Sequence, residues 1–148
     1  LEPSDYPYTD PGPYGLLIDT PDETNIKQLE KIMGLGVHYV GLMSVSGERF
    51  TEQGQKLKPI LEAMTAKGLL FVYFPKPSNT IVPDVSKQVQ ARVVSIDSII
   101  DEEISNEDIK RELQELEKAA REHGTALGVG RPYPITLRLI QEWLETLP

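Results

Sequence analysis

Apolar positions along the chain fall into short continuous runs that alternate with stripes at helical spacing. The first run, Gly15 to Ile18, leads into Thr20-Pro21-Asp22-Glu23, which reads as a helix start with Thr20 as N-cap and Pro21 at the first helical position. Ile26, Leu29, Ile32 and Met33 then recur every three or four residues. Gly34 and Gly36 end that helix, and VHYVGLM (Val37 to Met43) predicts a buried strand. A second helix, from near Thr51, carries Leu57, Ile60, Leu61 and Met64 on one stripe and ends at Gly68. LLFVYF (Leu69 to Phe74) is the most strand-like run of the chain.

Pro75, Pro77 and Pro83 punctuate the next stretch, in which a short helix from about Asp84 is expected. ARVVSID (Ala91 to Asp97) predicts another strand. Ser105 and Asp108 form a capping pattern that opens a long helix with the stripe Ile109, Leu113, Leu116 and Ala120, closed by Gly124. Thr125 to Val129 is a last short strand. Pro134 opens a final helix bearing Leu137, Ile140, Trp143, Leu144 and Leu147.

The alternation of strand and helix is the signature of an α/β fold with parallel strands and helices outside. No internal linker interrupts it, so residues 1–148 read as one domain. In such folds ligands gather at the carboxyl ends of strands. Those ends carry Asp19, Met43 to Ser46, Tyr73 to Pro75, Asp97-Ser98 and Gly130-Arg131.

Composition narrows the functional classes. Fifteen Lys and Arg stand against 23 Asp and Glu, a net charge of −8, which argues against duplex nucleic acid and anionic membrane surfaces as partners. No apolar run approaches the roughly 20 residues that span a bilayer. Cysteine is absent, which removes disulfides, thiolate metal sites and cysteine nucleophiles. The first fourteen residues, LEPSDYPYTDPGPY, are rich in proline. They read as a tail, or, because Tyr6, Tyr8 and Tyr14 cluster there, as a docked or ligand-facing loop. The start at Leu1 suggests a trimmed product.

Candidate chemistry is sparse. His38 suits a structural or surface role, and His123, in the last turn of the long helix, complements the helix dipole. Two histidines do not make a histidine-rich metal site. Asp97, at a strand end, is either a loop-anchoring carboxylate or one that orients substrate. Arg131 could clamp an anion or a sugar hydroxyl, or form a structural salt bridge. Ser44 and Ser46 lie at a strand end without a histidine in sequence reach, so a serine nucleophile is not expected. The charges from Glu107 to Lys118 read as a solvated helix face with paired charges.

Several segments, in order, resemble the divergent polysaccharide deacetylase family. LEPSDYPYTDPGPYGLL looks like its PMEP…Y…DPGP…LL segment, YVGLMSVSGERFT like its GVNNHMGSRFT block, and KGLLFVYF like its GLxFVDS strand. The ending, Val94 to Trp143, is the most specific, with Gly130, Pro132, Pro134, Thr136, Leu137 and Trp143 at matching offsets. The resemblance implies a parallel (β/α) barrel, here lacking its first strands, in a bacterial, extracytoplasmic protein of carbohydrate metabolism. It implies a hydrolase removing acetyl groups from cell-envelope glycans, with an Asp-His-His metal site that activates water.

Departures from that pattern concern the metal. The family's histidine in the NHMGS block falls on Val45, the aspartate of VDS on Tyr73 and the histidine of IGH on Arg131. Other ligands would lie upstream of Leu1, so zinc or a similar divalent ion is expected only if residues there supply them. The alternative is a non-catalytic glycan- or partner-binding module that keeps the barrel. On either reading the residues expected to meet an acetylated glycan are Glu2, Ser44, Ser46, Arg49, Asp97 and Arg131.

Overall fold

The computed structural model describes residues 1–148 apart from Ser4, Ser46, residues 77–79 and Pro148. Pro77 and Ser46 of the readings above therefore lie outside the described residues. The chain divides into two compact units, Leu1–Ser95 and Ile96–Pro148.

The first unit runs α1 (Asp22–Met33), β1 (Gly41–Met43), α2 (Glu48–Thr51), α3 (Gly54–Ala66), β2 (Leu70–Tyr73), α4 (Ile81–Val89) and β3 (Val93–Ser95). Its three strands form a parallel sheet in the order β1-β2-β3, with Gly41 opposite Leu70 and Phe71 opposite Val93. At Gly41 a Cβ would lie 2.5 Å from the Leu70 carbonyl oxygen, so glycine is what lets β1 approach β2. The core is built by the predicted stripe of α3: Leu57, Ile60, Leu61 and Met64 are buried against Phe50, Phe71, Leu29 and Met33.

Several expectations fail in this unit. Gly15 to Ile18 is not a strand. The buried amide of Asn25 in α1 takes both backbone groups of Leu17, accepting from its N–H at 3.2 Å and donating to its carbonyl at 2.8 Å. A side chain thus does the work of a strand partner. Val37 to Met43 is a strand only over Gly41–Met43, because His38 adopts φ 63° and turns the chain. Val37 and Val40 are left exposed. At the start of α1 it is Pro21, not Thr20, that occupies the N-cap position, and no side chain caps the helix. α4 begins at Ile81, three residues before Asp84, and takes Pro83 into its first turn.

The second unit runs β4 (Ser98–Ile99), α5 (Asn106–His123), β5 (Gly128–Val129) and α6 (Pro134–Leu144). β4 and β5 pair in parallel, Ser98 opposite Gly128. The α5 cap is as expected: Ser105 Oγ accepts from the Asp108 N–H at 3.0 Å. The same hydroxyl donates to the Asp108 carboxylate at 2.7 Å, and with Arg111 this holds that carboxyl below the usual range. Ile109, Leu113 and Leu116 are buried, while the charged face pairs internally, Arg111 with Asp108 and Arg121 with Glu117. α6 is turned relative to its expected stripe: Thr136 and Leu139 are buried, Ile140 and Trp143 partly so, and Leu137 and Leu144 face solvent. Its Thr136 hydroxyl is drawn inward by a hydrogen bond to Asp101.

Leu57→Ala and Leu113→Ala should each cost about 2–5 kcal/mol in denaturant unfolding, because both remove a side chain at the centre of a core. Leu137→Ala should change stability by less than about 0.5 kcal/mol.

Candidate functional site

In the first unit the strand-end residues are organised by Glu2. Its side chain is 1% exposed, and a carboxylate so far from water has to be met by donors. Oε2 accepts from the Ile18 N–H at 2.8 Å. Oε1 lies 3.0 Å from Arg49 Nη1, an ion pair whose angles fall short of a hydrogen bond. The Glu2 carbonyl also accepts from the Phe50 N–H at 3.4 Å. Glu2 thus faces inward and acts on the chain itself, whereas Arg49, in α2, keeps its side chain 45% exposed.

Between β1 and α2 the chain passes through Gly47 at φ 121°, a conformation that disfavours any side chain. A Cβ there would overlap the Leu1 side chain and come within 3.0 Å of Ser44 Oγ. Ser44 is buried, and its N–H donates to the Val72 carbonyl at 2.9 Å, continuing the ladder past β1. Ser46 lies outside the described residues. Ser44 also borders an open, largely apolar groove of about 340 Å³ floored by Leu16, Leu42 and Phe71, with Tyr14 and Met43 at its exposed margin.

In the second unit Asp97 is exposed, and its bonds go to the chain. It exchanges two hydrogen bonds with Leu127, donating its N–H to the Leu127 carbonyl and accepting the Leu127 N–H on Oδ2, both at 2.8 Å. Arg131, beyond the end of β5, is held by Asp101. Its N–H donates to Asp101 Oδ2 at 2.7 Å, and Nη1 donates to the Asp101 carbonyl at 3.3 Å. Thr136 Oγ1 donates to the same Oδ2 at 3.0 Å. Asp101 is 0% exposed, and its Oδ1 meets no donor among the described residues.

Sequence reasoning passed over Asp101. The available signal was an acid directly after the Ser98-Ile99-Ile100 run, the position Asp97 holds after its own strand.

Among the described residues no three His, Cys, Asp or Glu side chains come together as metal ligands. His38 and His123 are both exposed. Val45 is 79% exposed and carries no donor atom. Tyr73 is buried at the end of β2, with its ring parallel to Phe71 at a centroid separation of 6.1 Å. The residues present therefore do not fit an Asp-His-His metal site.

A sequence model of the family "Divergent polysaccharide deacetylase" matches residues 1–148. Among curated proteins, one of Haemophilus influenzae is 24% identical over 109 residues, covering 74% of this chain and 39% of that protein. YibQ of Escherichia coli is 22% identical over 130 residues, covering 85% and 41%. Both are described as uncharacterised. Among solved structures, the uncharacterised protein ATU2773 of Agrobacterium tumefaciens superposes with a TM-score of 0.87 at 31% identity, over 96% of this chain and 58% of that one. The chain thus spans about two-fifths of the curated relatives.

Burial raises the Tyr73 phenol above its ordinary value near 10. Its folded value exceeds its unfolded value, so the stability gained by keeping it neutral is complete below about pH 10 and is lost as pH rises through the folded value. In a near-ultraviolet absorbance titration, one late tyrosinate component is expected and should vanish in Tyr73→Phe. An unchanged titration would contradict the placement of this ring.

Proposed function

Since this chain belongs to the divergent polysaccharide deacetylase family, we propose that it binds an acetylated cell-envelope glycan through the loops at the carboxyl ends of its parallel strands. The observation that carries this reading is Arg49: a half-exposed guanidinium seated on a carboxylate that solvent does not reach. A sugar offers hydroxyl and acetamido oxygens as acceptors, and an arginine already held in place loses less freedom when it meets them. Tyr14 and Met43, exposed beside Ser44 at the groove, present apolar faces of the kind on which a pyranose ring can lie. The net charge of −8 suits a neutral or locally recognised glycan better than a polyanion bound along its length.

On this reading the parallel strands belong to a (β/α) barrel whose remaining strands come from chain outside these residues, and the protein works outside the cytoplasm. Hydrolysis of the glycan's acetyl groups is the second reading, and family membership is what favours it. Because the described side chains do not fit a metal site, its ligands would have to come from beyond these residues.

Calorimetric titration with chitotetraose should show saturable binding. Arg49→Ala should weaken it about tenfold, the loss of one charge-assisted hydrogen bond. Absence of binding, or binding indifferent to Arg49→Ala, would overturn the reading. Acetate released from the same oligosaccharide by a longer form of the protein loaded with zinc would establish the hydrolase.

A further inference from the structure

We infer that Arg131 is an anion receptor positioned by the buried Asp101, and that its ligand is the carboxylate of an acidic sugar. The inference rests on the glycan-binding reading above and names the sugar class that this loop selects.

Among the described residues, eight of the fifteen Lys and Arg side chains sit on a carboxylate: Lys27, Arg49, Lys56, Lys76, Arg111, Lys118, Arg121 and Arg138. Among the described residues the Arg131 guanidinium forms no ion pair, although the residue is bonded to an aspartate at two points.

The arrangement of those bonds explains how. Asp101 Oδ2 is occupied by the Arg131 backbone N–H and the Thr136 hydroxyl, and the guanidinium reaches only the Asp101 backbone carbonyl. The carboxylate therefore fixes the loop and leaves the guanidinium's charge unspent. One Nη1 hydrogen is used, which leaves four of the five guanidinium N–H donors without a partner among the described residues, on a side chain that is exposed. A planar fork of N–H groups matches a carboxylate in a two-point contact, and a lone hydroxyl far less well. In a protein carrying −8, an anion has little to attract it except at such an unpaired cation.

Asp101 is a positioning residue in this account, since it is sealed from any ligand. Both of its bonds converge on Oδ2, while Oδ1 meets no donor. Asparagine can keep that acceptor, whereas alanine removes it.

The probes are the hyaluronan tetrasaccharide, in which glucuronate alternates with N-acetylglucosamine, and its carboxyl-reduced neutral counterpart, each titrated calorimetrically. The unsubstituted protein should bind the acidic form about tenfold or more tightly, as one charge-assisted contact predicts. Arg131→Ala should abolish the preference, and Arg131→Lys should reduce it. Asp101→Ala should lose the preference while Asp101→Asn retains it. If Asp101→Ala does not fold, judged by circular dichroism, the Asn variant and the two Arg131 variants still decide.

Equal affinity for the two forms, or a preference that survives Arg131→Ala, overturns the inference and leaves glycan binding standing. A preference unchanged in folded Asp101→Ala overturns the positioning role. No binding of either form overturns both this inference and the reading beneath it.

Discussion

A carboxylate taken out of water costs several kcal/mol unless donors surround it, and each unit of this protein places one such group beside a strand-end loop. Glu2 joins the N-terminal segment to Ile18 on one side and to Arg49 and Phe50 on the other. Asp101 ties the loop after β5 to the first turn of α6. Loops at strand ends are ordinarily the mobile part of an α/β fold. Here the penalty of leaving Glu2 or Asp101 unpaired holds those loops in one arrangement. Arg49, in α2, and Arg131, beyond β5, therefore leave the backbone at defined points, and both residues stay exposed to solvent.

The helices were largely legible, and the strands were located but not bounded: β1, β2, β3 and β5 each fall inside an expected run, while β4 falls in none. Stripes such as Leu57-Ile60-Leu61-Met64 and the Ser105 cap depend on neighbours within a turn or two, so sequence spacing reports them directly. The strands are two to four residues long and end where pairing ends, which distant residues decide. Val37 to Val40 looks as apolar as Gly41–Met43, yet only the latter finds the edge of β2. α6 shows a subtler failure. Its apolar positions permit more than one buried face, and a single hydrogen bond from Thr136 to Asp101 accompanies the face observed.

The candidate residues divide in a similar way. Glu2, Ser44, Arg49, Asp97 and Arg131 all have bonds or ion pairs that tie them into their loops, but in different senses. Glu2 and Ser44 are buried and serve the frame, Asp97 anchors Leu127, and the two arginines remain open to solvent. No sequence pattern distinguishes an inward carboxylate from an outward one, because the distinction lies in which distant N–H groups reach it. The replaced positions are consistent with this division. Val45 is exposed and apolar, Tyr73 is packed on Phe71, and Arg131 puts a permanent cation where the family's pattern has a histidine.

The central claim is that the strand-end loops are where a glycan binds. Amide chemical-shift mapping during addition of chitotetraose tests it most directly, because it reports every backbone position without presuming one. The account predicts perturbations concentrated at Ser44 to Phe50, with the outer face of α3 silent. Perturbations centred on that helix face, with Ser44 to Phe50 unmoved, would contradict it.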